Sequence, residues 1–181
     1  MTRIAISGSH RAGKSTLVER LSAALPSYTT VDEPYHVMAE DGYEFSHPPS
    51  LEDFQAQLAH SIASLSGGEP NVLFDRCPVD ILAYISVRDD ADAFHFDEWL
   101  PRVRAAVQTL DLIAFVPIEA RDRIAMSASG EDRELRRAVD EKLRELLRED
   151  PFDFGVDVVV VEGEPDRRLR SVLEHIGRGP R

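Results

Sequence analysis

The 181-residue sequence has one cysteine, Cys77, and two lysines, Lys14 and Lys142. It has no apolar run approaching the roughly 18 residues that a membrane-spanning helix needs. A lone thiol cannot close a disulfide within the chain or anchor a cysteine zinc site. The histidines at 10, 36, 47, 60, 95 and 175 fall at no metal-binding spacing. Met1-Thr2-Arg3 leads straight into Ile4-Ala5-Ile6 without a basic, apolar, small-residue leader, so a secretory signal is not expected. A reducing, cytoplasmic setting is. Positive charge is scarce too: 21 Lys+Arg stand against 33 Asp+Glu, a formal net charge of −12. An acidic surface repels polyanions, which argues against nucleic acid as a partner, and without an apolar span no membrane partner is expected either.

What is present is enough apolar residue, 43%, to bury a core, in a chain of one-domain length. A single domain over 1–181 is expected, with no internal repeat or linker. The rhythm is strand, then helix. Ile4-Ala5-Ile6 enters a glycine loop, and Leu17, Val18, Leu21 and Leu25 follow at helical spacing. Tyr28 to Val31 reads as a second strand ending at Asp32-Glu33-Pro34, and residues 35–49 as irregular. A helix with Leu51, Phe54, Leu58, Ile62 and Leu65 on one face starts at a Ser50/Asp53 capping box. Val72-Leu73-Phe74 predicts the third strand, Leu112 to Val116 the fourth and Val156 to Val161 the fifth. Helices are expected around Val79–Ile85 and Leu100–Leu110. A further one, Glu131 to Glu149, carries Leu135, Val139, Leu143 and Leu146, and the last lies near 165–177. Apolar strands alternating with helices predict a doubly wound, five-stranded parallel α/β sheet covered on both faces.

Gly8-Ser9-His10-Arg11-Ala12-Gly13-Lys14-Ser15 fits G-x-x-x-x-G-K-[ST] between a strand and a helix. At this composition the pattern arises by chance in roughly 6 chains of 10,000. The glycines let successive backbone N–H groups face a phosphate, and the helix N-terminus adds positive potential. This is a nucleoside-triphosphate site, with Gly8, Ser9, His10, Arg11, Ala12, Gly13, Lys14, Ser15 and Thr16 as its contacts. Lys14 would reach the β- and γ-phosphates, and Ser15 would place its hydroxyl on Mg²⁺.

Neither lysine can supply the N-K-x-D motif of a GTPase switch. Leu65-Ser66-Gly67-Gly68-Glu69 imitates a transporter-ATPase signature, but it follows Asp32-Glu33-Pro34 instead of preceding it, so a glycine-capped helix end is expected there. Asp153-Phe154-Gly155 has no H-R-D loop before it and reads as a turn. What remains is a small-molecule kinase. Asp32-Glu33-Pro34 ends the second strand, Asp75-Arg76-Cys77-Pro78-Val79-Asp80 ends the third, and Arg121, Arg123 and Arg133 follow the fourth. On these motifs the sequence resembles the P-loop nucleoside and nucleotide kinases, among them deoxynucleoside kinases, thymidylate kinase and nicotinamide riboside kinase.

The resemblance implies a nucleotide-kinase-like three-layer sandwich with a helical lid at about 119–135 and an acceptor region at about 35–66. It also implies Glu33 as the base for the acceptor hydroxyl, Asp75 as a carboxylate at Mg²⁺, Arg76 near the acceptor, and Arg121, Arg123 and Arg133 as lid arginines over the phosphates. Asp80 is expected either at the acceptor or on the helix surface. Tyr35, Tyr43 and Phe45 are candidate pocket residues, whereas Phe54 and Trp99 read as core. The expected activity is ATP- and Mg²⁺-dependent phosphoryl transfer to a nucleoside or nucleotide. An ATPase or nucleotide-binding regulatory module, and a kinase of a non-nucleoside metabolite or antibiotic, remain as alternatives; homodimerisation stays open.

Overall fold

A computed structural model describes residues 2–119 and 130–177. Five parallel strands form one sheet in the order β2-β3-β1-β4-β5, with β1 Arg3–Ser7, β2 Thr29–Val31, β3 Val72–Asp75, β4 Leu112–Phe115 and β5 Val158–Val160. Central β1 is buried throughout, and its side chains alternate as a pleated strand must. Ile4 and Ile6 pack under α1 (Lys14–Ala24) and α7 (Pro165–Gly177). Ala5 faces the opposite layer of α3 (Leu51–Leu65), α4 (Pro78–Ser86), α5 (Phe96–Val107) and α6 (Gly130–Arg144). The doubly wound parallel architecture is the expected one.

The differences are local. Residues expected to be irregular contain a helix, α2 (Pro34–Glu40), which uses Pro34 at its first turn. Seven residues are too few to establish a helical period, but proline's fixed φ suits that first position. β2 starts at Thr29, β4 ends at Phe115 and β5 keeps only its central three residues. The helix across 131–149 changes to a π-turn at Glu145–Glu149. Val139, Leu143 and Leu146 face inward as expected, and Leu135 does not. Leu135 is 42% exposed, while Arg136 and Asp140 are buried beside Val139 and Leu143. The 65–69 segment ends α3 with Ser66 as the cap residue. Ser50 and Asp53 form the expected capping box.

Candidate active site

The glycine loop leaves the C-terminal end of β1, between neighbours β3 and β4, and so opens into the crevice that parallel α/β sheets offer ligands. A Cβ on Gly8 would stand 2.5 Å from the Val116 carbonyl oxygen, so no larger residue fits. Gly13 has φ +91°, the left-handed geometry that turns the chain into α1. The carbonyls from Gly8 to Ala12 all accept from cationic side chains. Arg76 Nη1 donates to Gly8 O (3.1 Å) and Lys14 Nζ to Ser9 O (3.0 Å). Arg136 donates to His10 O (2.9 Å) and Arg11 O (3.2 Å), and Arg168 Nη1 to Ala12 O (2.9 Å). Arg168 is held in turn by Glu119 at 2.8 Å. The Gly8 and His10 N–H groups donate to Asp80 and Tyr84, so the place for an anion is the N-terminus of α1, beyond Gly13. Arg11 and Thr16 are exposed, Ser9 and Ala12 are buried, and the Ser9 hydroxyl has no hydrogen-bond partner. His10 meets Tyr84: the Tyr84 hydroxyl accepts from the His10 backbone N–H and lies 3.0 Å from Nδ1.

Lys14 is buried, and burial above all, with Arg76 adding repulsion, lowers its pKa to about 8 against the pull of Asp80, Glu33 and Asp75. Ser15 Oγ donates to Asp75 Oδ2 (3.1 Å), while buried Asp75 Oδ1 has no partner. Burial raises the Asp75 pKa, opposed first by Lys14. An unpaired carboxylate oxygen beside a hydroxyl suits a hard cation that takes its other ligands from phosphates and water, so the pair fits Mg²⁺.

Arg76 has φ +78° and is 7% exposed. It lies 2.7 Å from Glu33 and 3.6 Å from Asp80, and its guanidinium stacks over the Tyr84 ring. Burial opposes its charge, but Tyr84, Glu33, Asp80 and Asp75 outweigh that and keep it ionised. Asp80 is fully buried, neither at the surface nor open to an acceptor. It accepts from Gly8 N–H (2.9 Å) and from Cys77 N–H (3.0 Å), tying α4 to the loop. Cys77 is buried and caps α4, and burial pushes its thiol pKa up.

Lys14, Ser15, Glu33, Asp75 and Arg76 therefore meet at one end of the sheet. Arg121 and Arg123 lie outside the described residues. Arg133 is exposed and lines a cavity of about 390 Å³ between α6 and residues 118–119, together with Arg136, Arg137 and Asp140. Tyr35 stacks on Phe45 (4.3 Å between centroids), Tyr43 lies against Phe45, and Phe54 stacks on Tyr84 rather than sitting deep in the core. Trp99 packs against Phe94. Sequence reasoning missed Arg136, Arg168 and Tyr84 as neighbours of the loop.

A family model described as AAA domain matches residues 3–168. The chain belongs to this family. Its fold is that of the P-loop kinases. The NadR protein in complex with NR aligns with TM-score 0.70 and 19% identity over 98% of this chain and 51% of that one. Deoxyadenosine kinase from M. mycoides with bound dATP aligns with TM-score 0.63 and 17% identity over 98% of this chain and all of the other. Thymidylate kinase from Candida albicans aligns with TM-score 0.64 and 16% identity over 98% and 91%. Curated protein sequences give no match. Among the described residues no helix is long and apolar enough to cross a membrane.

Proposed function

We propose that this chain transfers the γ-phosphoryl group of ATP to a hydroxyl of a nucleoside or nucleotide, with Mg²⁺. The observation that carries the reading is Glu33. A carboxylate from the end of β2 is held 2.7 Å from Arg76, whose other nitrogen grips the first carbonyl of the phosphate loop. A carboxylate fixed there can take the proton of an attacking hydroxyl, and dependence of turnover on an acceptor separates that hydroxyl from water. The neighbours support the reading in kind, since one was solved with dATP and another with NR.

In this mechanism the loop amides and Lys14 bind the β- and γ-phosphates, and ionised Arg76 holds Glu33 in place. Glu33 takes the acceptor hydroxyl's proton as its oxygen bonds to the γ-phosphorus and the bond to the β-phosphate oxygen breaks, releasing ADP. Ser15 and Asp75 would hold Mg²⁺, which neutralises phosphate charge when bound. Residues 35–66 receive the acceptor, and 119–135, with Arg121, Arg123 and Arg133, serve as the lid. The test is ADP release with ATP and Mg²⁺, with and without acceptors. Acceptor-stimulated release of at least tenfold is expected. Slow hydrolysis that no acceptor changes would assign the chain to the ATPase or regulatory class.

A further inference from the structure

Resting on that reading, we infer that the acceptor carries no phosphate or carboxylate: it is a neutral or cationic hydroxyl compound of the nucleoside type, not a nucleoside monophosphate. The first observation is one of charge distribution. Between Arg20 and Arg76 the sequence has no lysine or arginine, against nine Asp and Glu. That interval contains β2, α2, α3 and all of 35–66. Its basic residues are three histidines, and His36 and His47 are exposed.

The second observation concerns two arginines that meet this interval, Arg76 at its end and Arg88, whose side chain reaches Pro49 and Phe54 within it. Arg76 already faces two carboxylates, Glu33 at 2.7 Å and Asp80 at 3.6 Å, donates Nη1 to Gly8 O at 3.1 Å and lies over the Tyr84 ring. With 7% of its surface exposed and two carboxylates beside it, its charge is already compensated before any acceptor arrives. Arg88 makes a bidentate pair with Asp90 (2.6 and 2.8 Å), donates its third nitrogen to Pro49 O (2.8 Å) and lies over the Phe54 ring.

A phosphomonoester brings a near-dianion that needs guanidinium or ammonium partners in compensation. Here it would approach Glu33 and other acids with both of these arginines already paired, and like charges placed together are rejected strongly. A flat, uncharged or cationic body meets no such conflict. The half-buried Tyr35–Phe45 stack within the same interval offers it aromatic surface. Lys14, Arg136 and Arg168 stand on the other side, at the loop carbonyls, where the donor's phosphates belong.

The test is steady-state turnover by the full chain with ATP and Mg²⁺ on matched acceptors. These are thymidine, deoxycytidine, deoxyadenosine, deoxyguanosine and nicotinamide riboside, each beside its 5′-monophosphate, with shikimate as a carboxylate acceptor. The expected result is turnover of at least one unphosphorylated compound, its monophosphate at least 100-fold lower in kcat/KM, and none of shikimate. A monophosphate used better than its parent, or shikimate used best, overturns this inference and leaves the kinase reading standing. Turnover of nothing, while a non-hydrolysable ATP analogue still binds, removes the nucleoside-or-nucleotide reading and this inference with it.

Discussion

The two sides of the crevice are built in opposite ways. On the donor side four cations, one just past β3 and the others from α1, α6 and α7, seize the carbonyls of one short loop. On the acceptor side the order comes from one buried acid and from rings. Asp53 accepts from Tyr43 Oη (3.1 Å), the Ser46 and Ser50 amides (3.1 and 2.8 Å) and the Ser46 hydroxyl. Burial alone would raise its pKa, but the Ser46 and Ser50 hydrogen bonds bring it down to about 2. On the proposed function, the contrast accounts for a polyanion and a carboxylate base side by side: the cations are held by backbone oxygens, and the base is held by one of them.

If the sides are separate in function, Glu33→Gln should lower turnover by roughly 10² to 10⁴ while leaving the affinity for an ATP analogue unchanged. Asp75→Asn should lose activity that excess Mg²⁺ partly restores. Rescue of the glutamine variant by Mg²⁺, with the asparagine variant staying dead, would reverse the two assignments. Lys14→Ala strikes the donor side directly and should cost roughly 10² to 10³ in rate, on the scale of a lost oxyanion donor. Near-normal turnover by the folded variant would end the donor-site assignment.

Arg136→Gln should weaken binding of the ATP analogue by about tenfold, the scale of one hydrogen bond to a charged group. Arg136→Lys should recover part of it, and kcat for saturated enzyme should move less than KM. A fall in thermal stability with no change in KM for ATP would make this arginine purely structural. Affinity for the analogue should be flat below pH 8 and then fall by up to tenfold per pH unit. The reason is that ligand-free Lys14 loses its proton near pH 8 and a bound phosphate demands it back. Calorimetric titrations from pH 6.5 to 9.5 measure this.

The smallest effect lies on the acceptor side. Ser50→Ala removes the cap of α3 and should cost about 1 kcal/mol in denaturant titration. The Asp53 cluster adds a sign: its carboxylate is stabilised in the fold, so its contribution is complete above the ordinary carboxylate range and is lost as pH falls toward 2.

How much of this was legible in the sequence follows the same division. The loop could be read because its pattern is contiguous, and the strands because burial on both faces leaves plain apolar runs such as Leu112–Phe115. Asp75 and Glu33 were readable as carboxylates ending strands. Arg136 and Arg168 were not. Their partners are backbone carbonyls 125 to 156 positions away, and a carbonyl leaves no mark on the residue types around it. The inward face of α6 was misread at Leu135 for the same reason: the helix turns Arg136 and Asp140 toward the loop and Ile118, and a hydrophobic period gives no weight to such polar anchors. Asp80 gave a signal, one turn beyond Arg76, but its target, the Gly8 amide, is a backbone group as well.

Cys77 gives this corner a clock. The chain's single thiol is sealed where β3 turns into α4, between the arginine that holds Glu33 and the aspartate that holds Gly8. A thiol reagent can reach it only in molecules whose corner has come apart, and no second cysteine competes for the label. The rate of labelling therefore counts openings of the donor and acceptor anchors together. Anything that tightens the phosphate loop lengthens the interval between them.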